Sequence, residues 1–419
     1  MARRRPAEED ERTATLALWG AIAVGVVIRL AVARGQGFPS DVGTFMAWAE
    51  RMAAIGPSGF YEPGYFSDYP PGFLYVLWAL GALFDGEVLR FAVKAISIPF
   101  DIAIALLLAA AVAPLAGRAA AAFAGALWML QPGPIFGGPY WGQVDAAGTL
   151  PLLAALLAAG RRRWILAGAL AAVAAMVKPQ FGVVAVPLAF AAAFELVRRA
   201  EVRPVAGFAL GGLVAAALLA IPFRLGPAGF VDLLRAASET YPYTSLYAFN
   251  VWSIVADFWK PDQAYFGTGA VLLAAGIVGS IVPLWWRRDT AMLLATAAFA
   301  AMAFYFLPTR AHERYIFPAF ALLVPFAATR SRMLVPYLVL AIAFFVSLYF
   351  AFTRYPQNGV VAPQWLEVTL FSRNGQIVIA LVMLAATALI VWRLLRGEAR
   401  LEPTLDVGSL APAAPPRAQ

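Results

Sequence analysis

Most of this chain consists of long apolar segments, and short arginine clusters lie between many of them. Apolar segments of about 20 residues cross a bilayer as helices, because a helix satisfies its own backbone hydrogen bonds in lipid. With 62% hydrophobic residues, 13% charged residues and a mean hydropathy of +0.74, the 419 residues offer too little polar surface for a protein dissolved in water. The sequence therefore predicts an all-α, polytopic transmembrane helical bundle.

The hydropathy pattern predicts about twelve spans. One further apolar stretch, 71–84, is too short for a full crossing, so we expect it to lie at the interface as a juxtamembrane helix of the first outer loop. The predicted spans are 14–33, 91–113, 118–132, 146–159, 163–178, 180–197, 205–222, 266–286, 290–308, 316–328, 333–353 and 375–396.

The arginine clusters set the orientation of these spans. All of them fall on one side of this topology, which the positive-inside rule identifies as the cytoplasmic side. The net charge of +8 is therefore a topological signal, and no nucleic-acid partner is expected. The clusters lie at 3–5, 118, 161–163, 198–203, 287–288, 330–332 and 393–400.

This topology divides the chain into five parts and places both termini in the cytoplasm. The absence of cysteine excludes disulfides, thiolate metal sites and a cysteine nucleophile. The Ala- and Pro-rich tail is predicted to be disordered. The parts are a cytoplasmic N-terminus, 1–13; a transmembrane module, 14–222, which includes the first outer loop, 34–90; a large second outer loop, 223–265; C-terminal transmembrane helices, 266–396; and the cytoplasmic tail, 397–419.

The first outer loop carries two acidic candidates. Asp41 precedes an amphipathic segment, 42–55, and could cap that helix or accept a proton from an acceptor hydroxyl; these roles are compatible. Asp68 and Tyr69 precede a double proline. This turn either forms a simple loop corner or borders a sugar-binding cleft, since sugars pack on aromatic rings and bond to carboxylates.

Polar groups also lie at the outer ends of two apolar helices. Gln143 and Asp145 open one span, where Asp145 could again be a helix cap, although polar groups at such a place are costly and favour a function. Lys178 and Gln180 flank the tight turn at Pro179. A lysine at the outer end of a span opposes the orientation signal, so its natural partner is an anion, either a protein carboxylate or a lipid phosphate.

The segment 309–315 holds the only histidine, His312, beside Glu313 and Arg314. A single histidine is often structural, and outer arginines can bind anionic head groups. Phosphate recognition is favoured here, because cationic donors concentrate on the face that holds the acidic candidates.

The second outer loop has the aromatic and amide content to hold an acceptor. Tyr243 and Asn250 are its candidate substrate-binding residues. A plain amphipathic loop helix is an equal alternative for this region.

Taken in order, these motifs resemble bacterial integral-membrane glycosyltransferases of the GT-C superfamily, and in particular the polyprenyl-phosphate-sugar, mannosyltransferase-like group, family 87. The resemblance covers most of residues 35–320 and rests on a Tyr-Pro-Pro turn at 69–71, Trp-Gly-Gln-Val-Asp at 141–145, Lys-Pro-Gln at 178–180 and His-Glu-Arg-Tyr at 312–315. It implies an enzyme of the bacterial inner membrane that transfers a hexosyl or pentosyl group on the extracytoplasmic face.

By this resemblance the donor is a polyprenyl-phosphate sugar, with mannose favoured, and the acceptor is a hydroxyl of a lipid, a glycan or a protein. Asp41 is implied to be the general base, and Asp68 and Asp145 to position the acceptor or bind a divalent ion. The family's Asp-x-Asp pattern is missing at Ser40-Asp41, so the requirement for Mg²⁺ or Mn²⁺ stays open. Lys178, His312 and Arg314 would stabilise the leaving phosphate.

The alternative function is a transporter or flippase of lipid-linked sugars, which would expose ionisable groups near mid-membrane. The main intramembrane charges are Arg29, Lys94 and Asp101. Arg29 could snorkel, and Lys94 could pair with Asp101. The one-sided acidic cluster favours the enzyme.

Overall fold

The computed structural model describes residues 4–398, and this part of the chain is helical without β-strands. The helices of the first half are α1 (Arg4–Ala33), α2 (Pro39–Ile55), α3 (Pro71–Leu83), α4 (Gly86–Ala95), α5 (Ser97–Met129), α6 (Pro132–Ile135), α7 (Asp145–Gly160), α8 (Trp164–Val177), α9 (Pro179–Arg199) and α10 (Val202–Ala220). Those of the second half are α11 (Pro227–Glu239), α12 (Val251–Val255), α13 (Phe266–Ile281), α14 (Thr290–Phe306), α15 (Phe317–Thr329), α16 (Ser331–Thr353), α17 (Gln364–Val368) and α18 (Arg373–Arg393). Single 3-10 or π turns lie at Pro57–Gly59, Phe136–Tyr140, Ile221–Phe223, Val282–Trp285, Pro356–Asn358 and Leu394–Glu398.

The predicted all-α membrane bundle is confirmed, but the predicted number of twelve spans is not. In the described part of the chain, seven helical segments are long and apolar enough to cross a membrane, and five apolar helices are shorter. The span predicted at 91–113 begins in α4, and its larger part lies with the span predicted at 118–132 in one helix, α5, which has a kink at Ala116 and Gly117. Gly117 has φ +81°, a conformation that glycine adopts without strain.

The predicted segments at the two chain ends lie partly or mostly outside the described residues. The N-terminal segment 1–13 is helical from Arg4 onward. The tail predicted to be disordered, 397–419, is described only as far as Glu398.

The short apolar stretch predicted at 71–84 forms α3. Its 13 residues cover about 20 Å, less than the roughly 30 Å of a hydrocarbon core. α3 packs against α2 in a small apolar core of its own, in which Phe45, Trp48 and Phe73 are buried. This arrangement holds the first turns of α2 in place beside the rest of the bundle.

One end of the bundle is marked by a cluster of arginines around the buried carboxylate of Glu195. This carboxylate accepts hydrogen bonds from Arg288 Nε at 2.5 Å and from Arg162 Nη1 and Arg199 Nη1 at 3.2 Å each. Three of the basic clusters therefore converge at the same end. Lys178 lies at the opposite end of α9, about 25 Å away at 1.5 Å per helical residue.

The intramembrane charges pair differently from the prediction. Arg29 does not snorkel: its Nε donates to Asp101 Oδ2 at 2.9 Å, and both side chains are buried. Trp128 Nε1 donates to the other carboxylate oxygen at 3.2 Å. Lys94 instead donates to the carbonyl of Gly35 at 2.5 Å. Arg29 and Asp101 are 72 residues apart, and only the packing of α1 on α5 brings them together.

Candidate active site

A cavity of about 540 Å³ opens at the end of the bundle where α2 and α9 begin. The first outer loop, the turn before α9, the second outer loop and the segment before α15 all contribute to its walls. Its polar and charged lining residues include Ser40, Asp41, Asp68, Lys178, Gln180, Arg310, His312, Glu313 and Arg314.

Asp41 lies in the first turn of α2 and does not cap it, because the N-cap position belongs to Phe38 and no side chain caps this helix. Its Oδ2 instead accepts hydrogen bonds from Trp141 Nε1 at 2.8 Å and from Gln143 Nε2. The backbone N–H of Phe38 bonds to the carbonyl of Trp141 at 2.7 Å and ties the two segments together. Both side-chain bonds use one oxygen, which leaves Oδ1 to accept a proton or a further hydrogen bond.

Gln143 connects Asp41 to a buried ion pair. Its amide oxygen accepts from Lys178 Nζ at 2.8 Å, and the same ammonium bonds to Asp145 Oδ1 at 2.7 Å. The two partners define the orientation of this amide, because the opposite orientation would place its oxygen against the Asp41 carboxylate and its NH₂ against the ammonium. The partner of Lys178 is thus a protein carboxylate, and Asp145 serves as that partner rather than as a helix cap.

Another part of the cavity wall carries His312, Glu313 and Arg314. Nη1 of Arg314 donates to the buried Glu313 carboxylate, while its Nε is buried without a partner among the described residues. Burial alone would lower the pKa of Arg314, but the nearby Glu313 and Asp41 carboxylates hold it above its usual range. A charged guanidinium that keeps one N–H without an acceptor among the described residues suits an anionic ligand.

Burial, together with the positive charges of Arg314 and Lys178, holds the pKa of His312 well below its usual range. The imidazole is therefore neutral near pH 7, and it can donate or accept a hydrogen bond without carrying charge. Backbone bridges from Leu246 and Tyr247 hold His312 against the second outer loop.

Asp68 and Tyr69 also line the cavity, next to Lys178. The ammonium of Lys178 lies 5.3 Å from the centre of the Tyr69 ring. Burial raises the pKa of Asp68, although Lys178 and Arg314 both oppose this shift. Asp41 and Asp68 therefore lie in different surroundings: Asp41 has two donors on one oxygen, whereas burial raises the pKa of Asp68.

The structure brings most of the predicted site residues to this cavity, but two lie away from it. Asn250 is fully buried and caps α12, since its side-chain oxygen accepts from the backbone N–H groups of Trp252 and Ser253 at 3.0 and 3.1 Å. Tyr243 is not among the lining residues, and its ring packs on Trp259 at 5.1 Å between centroids. Gln143 and Asp145 lie behind the cavity wall, where they contact the lining residues Asp41 and Lys178.

The sequence did not predict an ion pair that joins the second outer loop to a lining residue of the cavity. Arg310 Nε donates to Asp262 Oδ2 at 2.7 Å, and Thr309 Oγ1 donates to the same oxygen at 2.8 Å. Arg310 Nη1 also donates to the carbonyl of Ser238 at 3.0 Å, near the end of α11. The two charged partners are 48 residues apart, and neither belongs to a pattern that predicts their contact.

The cavity also has an apolar part formed by α11, α13 and α14. Its lining side chains are Leu234, Ala237, Phe266, Ala270, Leu273 and Phe304. The cavity thus joins charged groups at one place to an apolar surface at another, as an amphiphilic ligand with a charged head and a hydrocarbon chain requires.

The carboxylates suggested for a divalent cation do not form a metal site. Within residues 4–398, no group of three Asp, Glu, His or Cys side chains is arranged to hold a metal ion. Asp145 is committed to Lys178, which leaves Asp41 and Asp68 of the three suggested ligands.

The fold is similar to that of a protein of known structure, ArnT. Crystal structures of ArnT from Cupriavidus metallidurans, in the apo state and bound to undecaprenyl phosphate, align with TM-scores of 0.50 at 17% and 16% sequence identity. The alignments cover 92% and 90% of this chain and 78% and 76% of ArnT. At such identities the likeness concerns the fold. No curated protein matches the sequence.

Fold and sequence together define an integral-membrane glycosyltransferase of the GT-C type. The profile of glycosyltransferase family 87 matches residues 66–308, more than half of the chain. The chain belongs to glycosyltransferase family 87. The matched stretch includes Asp68, Gln143, Asp145 and Lys178, whereas Asp41 precedes it and the segment at 312–314 follows it.

Proposed function

We propose that this enzyme transfers a sugar from a polyprenyl-phosphate carrier to an acceptor hydroxyl on the extracytoplasmic face, with Asp41 as the general base. The acceptor is a lipid, a glycan or a protein, and mannose is the favoured sugar by family resemblance. One observation carries the proposal: a single cavity joins Asp41 and the buried cation Arg314 to an apolar surface on α11, α13 and α14.

The carrier assignment rests on the two-part character of the cavity. ArnT, which shares the fold, has been crystallised with undecaprenyl phosphate. In this chain the isoprenoid would lie along Leu273 and Phe304, and the phosphate would meet Arg314, whose Nε lacks a partner among the described residues. A phosphate oxygen would satisfy that donor with a charge-assisted hydrogen bond.

The transfer step follows from these positions. As the acceptor oxygen attacks the anomeric carbon, Asp41 takes its proton, the new C–O bond forms with inversion, and the bond from carbon to phosphate oxygen breaks. The departing electron pair stays on the carrier phosphate. Arg314 and the neutral imidazole of His312 stabilise that phosphate by hydrogen bonds.

The geometry changes the role expected for Lys178. Its ammonium already bonds to Gln143 and Asp145, so it orients the amide that holds Asp41 and adds positive potential at the cavity wall. Phosphate recognition therefore falls mainly to Arg314. Asn250 and Tyr243 support the second outer loop from outside the cavity and are not proposed as substrate ligands.

The transporter alternative gains nothing from the intramembrane charges. Arg29 and Asp101 pair in a buried contact with Trp128, away from the cavity. Membership of a glycosyltransferase family also favours transfer over translocation.

The test is transfer of radiolabelled sugar from a panel of polyprenyl-phosphate donors into lipid, glycan and protein fractions, with the protein in nanodiscs. Asp41→Asn should reduce transfer by roughly 10²- to 10⁴-fold, the usual contribution of a general base, while binding of undecaprenyl phosphate survives. Asp85→Asn is the matched control, because Asp85 is exposed and does not line the cavity.

Two results would contradict the proposal. Undiminished transfer by Asp41→Asn would remove Asp41 from the proton-transfer step. Absence of transfer from every donor, with translocation of the donor across the bilayer of proteoliposomes, would establish the transporter instead.

A further inference from the structure

Trp259 has an unusual position in the wall of the cavity. Its side chain lines the cavity, and its backbone lies in the left-handed region at φ +55°, which a bulky residue rarely adopts. Asp257, two residues earlier, is also left-handed at φ +74°. Strained backbone of this kind persists where the surrounding structure enforces it, and it is concentrated at ligand-binding sites.

A second layer of rings holds Trp259 from behind. Tyr243 packs on it at 5.1 Å and Tyr247 at 5.8 Å between ring centroids, and neither of these tyrosines lines the cavity. Tyr241 and Tyr355, which do line the cavity, lie at 6.3 and 6.5 Å. The indole ring of Trp259 is thus held by neighbouring aromatic rings and borders the cavity.

The indole N–H of Trp259 has no acceptor in the part of the chain that the structure describes. Its Nε1 is shielded from solvent and lacks a hydrogen-bond partner among the described residues. The cavity-lining Trp141, by contrast, donates its N–H to Asp41. Buried indole donors normally find a partner, so an unpaired one in a cavity wall indicates an acceptor brought by a ligand.

A continuous aromatic wall connects Trp259 to the proposed base. The ring of Tyr355 contacts that of Phe38 at 4.8 Å, and Phe38 stacks on Trp141 at 5.0 Å. Trp141 in turn bonds to Asp41. These four rings line the cavity and do not belong to its apolar part on α11, α13 and α14.

We propose that Trp259 and Tyr355 form the binding platform for a carbohydrate acceptor, and that the indole N–H of Trp259 donates to an oxygen of that sugar. The assignment rests on the proposed transfer reaction and narrows its acceptor to a sugar hydroxyl, as carried by a glycan or a glycolipid. Apolar faces of sugar rings pack on aromatic rings, while their oxygens accept hydrogen bonds from donors such as an indole N–H.

Direct binding tests this site without relying on turnover. The probes are octyl α-D-mannopyranoside, octyl β-D-glucopyranoside and octyl β-D-galactopyranoside, titrated below their micelle concentrations into the protein in nanodiscs and followed by calorimetry. The variants are Trp259→Phe, which keeps a ring and removes the N–H, and Trp259→Ala, which removes both. Trp365→Phe is the control, because Trp365 is 63% exposed and lies outside the cavity.

We expect the wild type to bind at least one glycoside. Trp259→Phe should weaken that affinity about tenfold, as loss of one hydrogen bond does, and Trp259→Ala should weaken it further. The affinity for undecaprenyl phosphate, measured in parallel, should be unchanged in all variants. Trp365→Phe should match the wild type for both ligands.

Three outcomes would overturn the platform: no glycoside binds, the Trp259 variants bind glycosides as the wild type does, or they lose undecaprenyl phosphate affinity by the same factor. Glycoside binding through Trp259 without any sugar transfer would refute the proposed enzyme function and leave the binding site standing. The two proposals therefore fail separately.

Discussion

Replacement of Gln143 by leucine tests whether the hydrogen bond that orients Asp41 contributes to the reaction while Asp41 itself is kept. The substitution removes the amide that donates to Asp41 Oδ2 and leaves Trp141 as the remaining donor to this oxygen. Lys178 keeps its bond to Asp145 at 2.7 Å, so the buried ammonium is still paired. The substitution therefore removes two hydrogen bonds to charged groups, one to Asp41 and one from Lys178, and the bond to Asp41 is worth about 1.5 to 3 kcal/mol.

If that bond serves to orient Asp41, the same free energy is lost from the transition state. At about 1.4 kcal/mol per factor of ten, kcat/KM for sugar transfer should fall by roughly 10- to 150-fold. Gln143→Glu should be worse than leucine, because it can still accept from Lys178 but places a carboxylate against Asp41.

The assay is the initial rate of transfer from a radiolabelled polyprenyl-phosphate sugar in nanodiscs, with thermal unfolding measured in parallel. Gln376→Leu is the matched control: it likewise removes a part-buried side-chain amide, whose Nε2 donates to the backbone carbonyl of Phe371 at 2.7 Å, and neither Gln376 nor Phe371 lines the cavity. A folded Gln143→Leu enzyme with kcat/KM within about twofold of the wild type, little more than 0.4 kcal/mol, would refute the positioning role.

Three further predictions concern charge. Asp145→Asn leaves the buried Lys178 ammonium without its carboxylate and should lower the free energy of unfolding by about 3 kcal/mol or more, measured in detergent; an unchanged unfolding midpoint would contradict this. Arg29→Leu should destabilise by a similar amount, of order 3 kcal/mol, and Arg29→Leu with Asp101→Leu should recover much of it, whereas equal destabilisation by the double variant would argue against the pair. Because the pKa of His312 lies well below 6.5, the rate of transfer should show no inflection from this group between about pH 6 and about pH 8. The pH–rate profile of His312→Gln should therefore keep the wild-type shape. An inflection near 6.5 that this variant abolishes would show that His312 titrates there.

The sequence was informative where composition and sidedness carry the signal. Apolar length and arginine placement predicted a helical membrane bundle, and the isolated Lys178 at an outer helix end predicted an anionic partner, which is Asp145. Residues of several outer loops were expected together, because one face of a membrane bundle gathers all loops of that face. The cavity does gather Asp41, Asp68 and residues of the segment 309–315.

The remaining contacts depend on helix rotation and loop closure, which local patterns do not encode. To predict the pairing of Arg29 with Asp101, one must know how α1 is rotated about its axis relative to α5. Hydropathy does not give this rotation, because it is nearly uniform around such helices. Asn250 has the composition of a ligand residue, yet its place before a short helix makes it a cap. Trp259 became notable only through its backbone angle and its unpaired N–H.

Helix α9 covers the distance between the cavity and the arginine cluster around Glu195. It is fixed at one end by the arginines around Glu195 and carries Lys178 immediately before its other end, about 25 Å away. That length is close to the roughly 30 Å of a hydrocarbon core, so we expect the charged part of the cavity to lie level with the head groups. In the proposed reaction, the carrier phosphate would lie at the same depth, and its sugar would react there while the isoprenoid chain stays in the bilayer.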